Sequence, residues 1–336
     1  MAVSSTSPDL SIVVNNYNYG RYLREALDTA MAQMRVSDEI IVVDDGSTDE
    51  SQNVLQAYAD NPRVKTIIQQ NQGQMSAVRT GMTAARGDVL VLLDSDDYYL
   101  DGYLERLRAL YSDFPELDFV FSRAQPEGQD VEALAQMRGI LDRMELPAGM
   151  VGTTRWAALM SYEFVGSPTS GLSLRKALAD KILQLPLSVD STRRLPDLAR
   201  HLLGASEHEA SKHGLTADGV IVRSASALGA AKYYDDRPGF VYRIHGENKF
   251  ATLPIRGRWY VRRQGRRILV NAMSRAFSVN HEATAAELIE EIRGRRYGLR
   301  LRRRLRVRFE YCLAALRCRG GVVDKLHALA VAAGVL

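Results

Sequence analysis

The chain has 336 residues, 46% of them apolar and 25% charged, with a formal net charge of +4; this balance excludes a fibrous or largely disordered chain and leaves room for one large domain with an added segment, or for two domains. Its two cysteines, Cys312 and Cys318, form neither a disulfide framework nor a metal-ligand spacing, which fits a reducing compartment. No window of about twenty apolar residues is available to cross a bilayer, and the polar residues 1–9 do not read as a secretory leader.

From Leu10 onward short apolar runs alternate with amphipathic stretches, the pattern of parallel strands joined by crossover helices. Strands are predicted at residues 10–14, 39–44, 64–68 and 88–93, and helices at 22–33, 51–58 and 74–85. Ser47 and Asp49 offer the capping chemistry that starts the second helix. This is a doubly wound α/β half. A fifth strand is read at 117–121, followed by a polar loop at 123–129 that Pro126 and Gly128 mark as a boundary. Beyond it, helices are predicted at 154–161, 175–183, 195–203 and 219–228, and strands at 231–234 and 240–244. From Arg256 the chain reads as arginine-rich helices.

Ligands of open α/β sheets bind at the carboxyl ends of the strands, so polar residues that directly follow a buried strand carry weight. Three predicted strands end in such clusters: Asn15-Asn16-Tyr17-Asn18, Asp44-Asp45-Gly46-Ser47, and Asp94-Ser95-Asp96-Asp97. The last concentrates negative charge that a hard divalent cation, magnesium or manganese, would answer, shared with substrate phosphates. Asp and Ser clusters also build solvated turns and helix caps. For Asp44 and Asp45 the alternatives are hydrogen bonds to a nucleobase or ribose, with one of the pair only capping a helix.

Residues 11–18, Val43-Asp44-Asp45-Gly46-Ser47-Thr48-Asp49, Asn71-Gln72-Gly73-Gln74, Ala84-Ala85-Arg86-Gly87-Asp88 and Leu93-Asp94-Ser95-Asp96-Asp97 resemble the ordered motif series of family-2 glycosyltransferases with the GT-A fold. The resemblance covers residues 10–111. It implies a Rossmann-like, mostly parallel sheet with a C-terminal helical extension. It also implies metal-dependent, inverting transfer of a sugar from a nucleotide-diphospho-sugar, a UDP-sugar first, to a hydroxyl of a glycan or lipid-linked acceptor. The chain then divides into a nucleotide-sugar-binding half at 9–123, an acceptor-binding half at 124–250 and a basic helical segment at 251–336.

By the same resemblance, Asp94 and Asp96 hold Mn2+ or Mg2+, with Asp96 the direct ligand, Tyr17 flanks the base and Asp45 holds it. Asn15, Asp44, Arg79, Ser95 and His245 complete the expected donor contacts, Arg79 having a solvated helix position as its alternative. His245 lies in Tyr242-Arg243-Ile244-His245, which resembles the segment that closes the family's catalytic region, where His and Arg contact the diphosphate. An inverting transfer needs a general base. Here the sequence departs from the family's acidic pair, and Asp218 in Thr216-Ala217-Asp218-Gly219 is the positional match, with a plain helix cap as its alternative. Asp197 is the fallback, followed by Glu207 and Glu209. Ser170 and Gly171 are candidates for the acceptor cleft.

Arg262-Arg263, Arg266-Arg267, Arg295-Arg296 and the run from Arg300 to Arg308 alternate with apolar residues, giving helices with a cationic and an apolar face. Such helices suit an anionic membrane surface, or packing on the catalytic domain or a second copy of the chain. Without a recognised binding module or aromatic platform, nucleic acid is not an expected partner. The expected location is cytoplasmic, peripheral at the inner face of the cell membrane. Two other functions compete with the transferase: a nucleotidyltransferase, which lacks its glycine-rich phosphate loop at residues 15–20, and a catalytically silent nucleotide-sugar-binding scaffold of a glycan assembly complex.

Overall fold

The computed structural model describes residues 9–141, 146–161, 164–185, 216–245, 276, 282–294 and 301–334. Its first half runs β1 (Leu10–Asn16), α1 (Gly20–Met31), β2 (Glu39–Asp44), α2 (Ser51–Gln56), β3 (Val64–Ile68), α3 (Gln74–Ala84), β4 (Val89–Asp94), β5 (Tyr98–Tyr99) and α4 (Tyr103–Asp113). Then come β6 (Phe119–Gly128), α5 (Val131–Leu141), β7 (Gly149–Gly152), α6 (Arg155–Ser161), a 3-10 turn at Thr169–Gly171, β8 (Leu172–Arg175) and α7 (Lys176–Leu183). A helix α8 (Ala217–Ala227), β9 (Lys232–Ile244) and three C-terminal helices, Ala285–Gly294, Leu301–Arg317 and Val322–Ala333, complete the described chain. The predicted helix at 195–203, the acids Asp197, Glu207 and Glu209, and Arg262, Arg263, Arg266, Arg267, Arg295, Arg296 and Arg300 lie outside the described residues.

The described strands form one nine-stranded sheet in the order β3-β2-β1-β4-β8-β6-β9-β5, with β7 also paired to β9. Strands β3, β2, β1 and β4 are mutually parallel, and β6 is parallel to β9. Antiparallel β8 sits between β4 and β6. Strands β1, β2 and β4 are apolar on both faces because helices cover both. Leu10, Ile12 and Val14 pack with α1 and α4 through Leu23, Leu27 and Leu107, whereas Val13, Ile41, Val43 and Leu92 pack with α3 and α8 through Val78, Met82 and Val220. The alternation of side chains along each strand assigns neighbours to opposite layers.

Two expectations change. Residues 123–129 are not a loop: β6 continues through them to Gly128, paired with β9 across register shifts at Ser122, Arg123 and Ala124. Pro126 is tolerated because β8 pairs only with Phe119 to Phe121, so the far part of β6 bonds to a strand on one side alone. The predicted strands at 231–234 and 240–244 are one strand, β9, which spans the polar residues between them.

The C-terminal helices join the α3 and α8 layer, with Ala314, Ala315 and Ala328 in the same core as Trp156 and Val220. A buried carboxylate fastens them. Glu291 accepts hydrogen bonds from the Trp156 and Ala157 N–H groups at the start of α6, both at 2.8 Å, and from the Tyr311 hydroxyl. It satisfies donors that a helix N-terminus leaves open.

Candidate active site

The carboxyl ends of β1, β2 and β4 lie side by side, since Asn16 pairs with Asp44 and Asn15 with Asp94. Asp44 is fully buried and works within the turn. It accepts from the Ser47 N–H at 2.8 Å and from Asn16 Nδ2 at 2.7 Å. Asp45 ties in the following loop: Oδ1 accepts from Gln69 Nε2 and the Gln72 N–H at 2.7 and 2.9 Å, and Oδ2 from the Gly73 N–H at 2.7 Å. Gly73 enters α3 at φ 90°, a conformation side chains disfavour, and this presents the two consecutive N–H groups to Asp45. Asn18, also at positive φ, accepts from the Thr48 N–H at 2.7 Å, and Tyr17 beside it is 43% exposed at the rim.

At the end of β4, Asp94, Asp96 and Asp97 bring one carboxylate oxygen each within 4.8 Å of one another. Asp97 is buried and held by two donors, the Ser170 hydroxyl at 2.6 Å and the Arg243 N–H at 3.0 Å. The same Ser170 oxygen accepts from the Asp94 N–H at 3.0 Å. Asp94 accepts from Gln74 Nε2 at 2.8 Å, and Gln74 Oε1 in turn accepts from the Ala217 N–H at 3.3 Å. Gln74 therefore joins the acidic cluster to the N-terminus of α8, where Asp218 stands. The N-cap of α8 is Thr216, whose hydroxyl accepts from the Gly219 N–H at 3.3 Å, and Asp218 Oδ1 accepts from the same N–H at 2.6 Å, so Asp218 shares in the cap while standing beside the cluster.

From the far edge of the sheet, β9 delivers His245, its Nε2 3.0 Å from Asp96 Oδ2. The imidazole is flanked by Tyr19 and Tyr22 at ring separations of 5.3 and 5.4 Å. Arg243 lies over Tyr22 and Tyr98, donates to the Asp96 carbonyl and pairs with Glu25 of α1. Arg79 turns instead toward α7, donating to the Leu183 carbonyl at 2.7 Å. Ser95 is buried, and its N–H donates to the Asn15 carbonyl at 3.2 Å.

The profile of Glycosyl transferase family 2 matches residues 11–167, from β1 to just short of the 3-10 turn. The match covers a little less than half of the chain, and over those residues the chain is similar to glycosyl transferase family 2. An uncharacterized glycosyltransferase of Nostoc sp. is 28% identical over 71% of the chain and 66% of its own length. An undecaprenyl-phosphate 4-deoxy-4-formamido-L-arabinose transferase of Pseudomonas fluorescens is 44% identical over 26% of the chain and 27% of its own length. The chain thus spans less than two thirds of these relatives. Among solved structures, Staphylococcus aureus TarS 1-349, in complex with UDP-GlcNAc, shares the GT-A fold at a TM-score of 0.53 and 16% identity, over 97% of this chain and 91% of that one.

Within this GT-A fold the acidic cluster has the donor set and electrostatics of a divalent cation site. Burial, followed by repulsion from Asp96, pushes the Asp94 carboxyl up to about 7. Burial and the charges of Asp96 and Asp94 push Asp97 well above the ordinary carboxylate range. Three clustered acids, with the charge of Asp96 disfavouring ionisation of Asp94 and Asp97, together with one imidazole at Asp96, fit a hard cation. The charge of Asp218 also raises Asp94 and the buried Tyr242 hydroxyl, so Asp218 stands within electrostatic reach of the cluster.

Sequence reading missed the roles of Gln74, Ser170 and Arg243 in holding these acids. Gln74 and Arg243 each had a motif to mark them; Ser170 is joined to the cluster only by the tertiary fold. The Arg86-Gly87-Asp88 motif works at the opposite edge of the sheet. There Arg86 pairs with Glu39, the Gly87 N–H donates to Ser11 Oγ at 2.8 Å, and Asp88 accepts from the Asp9 N–H.

Proposed function

We propose that the chain is a metal-dependent, inverting glycosyltransferase that moves a sugar from a nucleotide-diphospho-sugar to a hydroxyl of a glycan or lipid-linked acceptor. The observation that carries this reading is the acidic cluster at the end of β4, joined through Gln74 to the helix that bears Asp218. Donor base and ribose are assigned to the rim formed by Tyr17, Asn15 and the Asp44-Asp45 turn, with Ser95 at the end of the neighbouring β4; Arg79, held by the Leu183 carbonyl of α7, is left out of this assignment. Asp94 and Asp96 are the candidate holders of Mn2+ or Mg2+, with His245 beside Asp96 on the diphosphate side. The ion, when bound, supplies positive charge to the leaving diphosphate. UDP is the first nucleotide to test, because TarS was crystallised with UDP-GlcNAc.

Asp218 takes the proton of the acceptor hydroxyl as that oxygen forms its bond to the anomeric carbon. The bond from that carbon to the diphosphate oxygen breaks on the opposite face, releasing the nucleoside diphosphate and inverting the anomeric configuration. A lipid-linked acceptor is supported by the Pseudomonas fluorescens relative, whose name carries undecaprenyl phosphate. In this reading residues 9–123 bind the donor, 124–250 the acceptor, and 251–336 form the basic segment.

The test measures turnover of UDP-sugars with manganese for the wild type, Asp96→Ala and Asp218→Asn. Loss of turnover in both, with donor binding kept by Asp218→Asn, is the expected result. Full turnover by both variants overturns the proposal; metal-dependent nucleotide-sugar binding without turnover by the wild type would make the chain a binding scaffold.

A further inference from the structure

The last two helices, Leu301–Arg317 and Val322–Ala333, pack as a hairpin whose inner residues Ala314, Ala315, Ala328 and Ala332 join the core. Their outer faces carry large apolar residues in the open. Phe309 and Leu316, seven residues apart and so on one helix face, are 62% and 59% exposed. On the second helix Val322, Val323 and Leu326 share a face and are 76%, 79% and 59% exposed. Leu316, Val322 and Val323 all border the four-residue turn, so the apolar surface is concentrated at the hairpin tip.

Cations edge the solvent side of this tip, whereas the acids Glu282 and Glu287 flank the segment 283–285 that bonds to Arg319 on its inner side. Arg317 and Arg319 are exposed beside the turn and Lys325 follows it, while the acid between them, Asp324, is engaged by the Gly321 N–H at 3.0 Å. The helix leading to the tip begins in a run, residues 301–308, with five arginines and no acid. No helix among the described residues is long and apolar enough to span a bilayer.

We infer that the hairpin tip is a membrane-surface anchor, in which Leu316, Val322, Val323 and Leu326 enter the interfacial region of an anionic lipid bilayer while Arg317, Arg319 and Lys325 meet its headgroups. An apolar face edged by cations is the pattern that such a surface binds. A second copy of the chain is the poorer occupant, because a symmetric contact of like patches brings the same cations face to face. The anchor is independent of the proposed transfer chemistry. It would keep the enzyme at the bilayer where a lipid-linked acceptor resides.

The experiment is co-sedimentation of the full chain with phosphatidylcholine vesicles, with and without phosphatidylglycerol, at low and high salt. Binding is expected only with phosphatidylglycerol and is expected to weaken with salt. It should fall about tenfold or more in Leu316→Ser/Val323→Ser/Leu326→Ser and in Arg317→Glu/Arg319→Glu. Both variants should keep the wild-type melting temperature and donor turnover. A separate Val323→Trp variant gives a signal that does not depend on loss of binding: the emission of the added indole shifts to the blue and is quenched by brominated lipid. Wild-type binding by both multiple variants, or no shift of the Val323→Trp emission on anionic vesicles, overturns the inference. So does a concentration-dependent dimer that the serine variant dissociates while vesicles bind neither form.

Discussion

Gln74 is the side chain that joins the acidic cluster to α8, and replacing it tests whether that link orients the chemistry. Gln74→Leu deletes the bond to Asp94 at 2.8 Å and leaves the Ala217 N–H without its acceptor at 3.3 Å. A hydrogen bond to a charged group contributes about 1.5–3 kcal/mol. If the link is expressed in the transition state, kcat/KM falls roughly 10- to 100-fold, since about 1.4 kcal/mol is a factor of ten. Gln74→Glu is the sharper change. It sets a second carboxylate about 3 Å from Asp94, a repulsion on the order of 5 kcal/mol at an effective dielectric constant of about 20. Manganese should partly restore this variant and leave Gln74→Leu unimproved. Steady-state rates with donor and manganese varied separately decide the matter, alongside melting curves. The expected Gln74→Leu phenotype is a lower kcat with donor KM within about twofold, because the Asp45 contacts that shape the donor rim are untouched. Wild-type kcat in Gln74→Leu, or a loss that tracks a fallen melting temperature, refutes the positioning role.

Glu291→Leu leaves the Trp156 and Ala157 N–H groups and the Tyr311 hydroxyl without their acceptor, at about 1–3 kcal/mol for each unsatisfied group, or roughly 3–9 kcal/mol in total. Thermal unfolding and limited proteolysis of the C-terminal helices are the readouts. Gly73→Ala forces a side chain into φ 90° at a cost of about 1–3 kcal/mol. Nucleotide titration should show weaker binding as the Asp45 loop shifts. Asp94 has a folded-state pKa near 7, above its unfolded value of about 3.9, so without metal the folded state binds the additional proton between those values. In a chelator, stability should therefore rise as pH is lowered from 8 toward 5, and Asp94→Asn should flatten that slope.

The strands of the first half were legible because each is a short apolar run closed by a polar cluster, and the same feature marked the Asp44 and Asp94 loops. Ser11 and Arg86-Gly87-Asp88 were legible as motifs but not as to purpose: motif residues at the amino edge of the sheet fix its geometry through Glu39 and Asp9, whereas those at the carboxyl edge face the site. Strand β8 left no trace, since four residues that follow a proline-containing turn lack enough length for a period to show. Residues 123–129 were misread because Pro126 marks a boundary only where a strand is bonded on both sides. The pairing of His245 with Asp96 spans 149 residues, so spacing cannot reveal it. Only the motif around each residue pointed to the same place.

The three acids of the cluster are unequal, and the inequality predicts which of them the chemistry needs. Asp97 is buried, with a donor on each oxygen, and those donors come from the 3-10 turn and β9. It fastens three parts of the fold together. Asp96 meets His245 on the side where that imidazole is itself a candidate to face diphosphate. Asp97→Asn keeps an oxygen for the Arg243 N–H, and the Ser170 hydroxyl can accept from the new amide, so the turn survives. Asp96→Asn removes a ligand charge from the open side of the cluster and leaves the bonds of Asp97 intact. Activity at saturating manganese should therefore fall less than about tenfold in Asp97→Asn but on the order of a hundredfold or more in Asp96→Asn. Melting temperatures should show the opposite order, with Asp97→Asn the more destabilised in the absence of metal, because an amide holds its buried donors less strongly than a carboxyl group does. Equal losses of activity in the two variants would mean that the acids hold the ion together, and the division between a fastening carboxylate and a metal-facing one would be wrong.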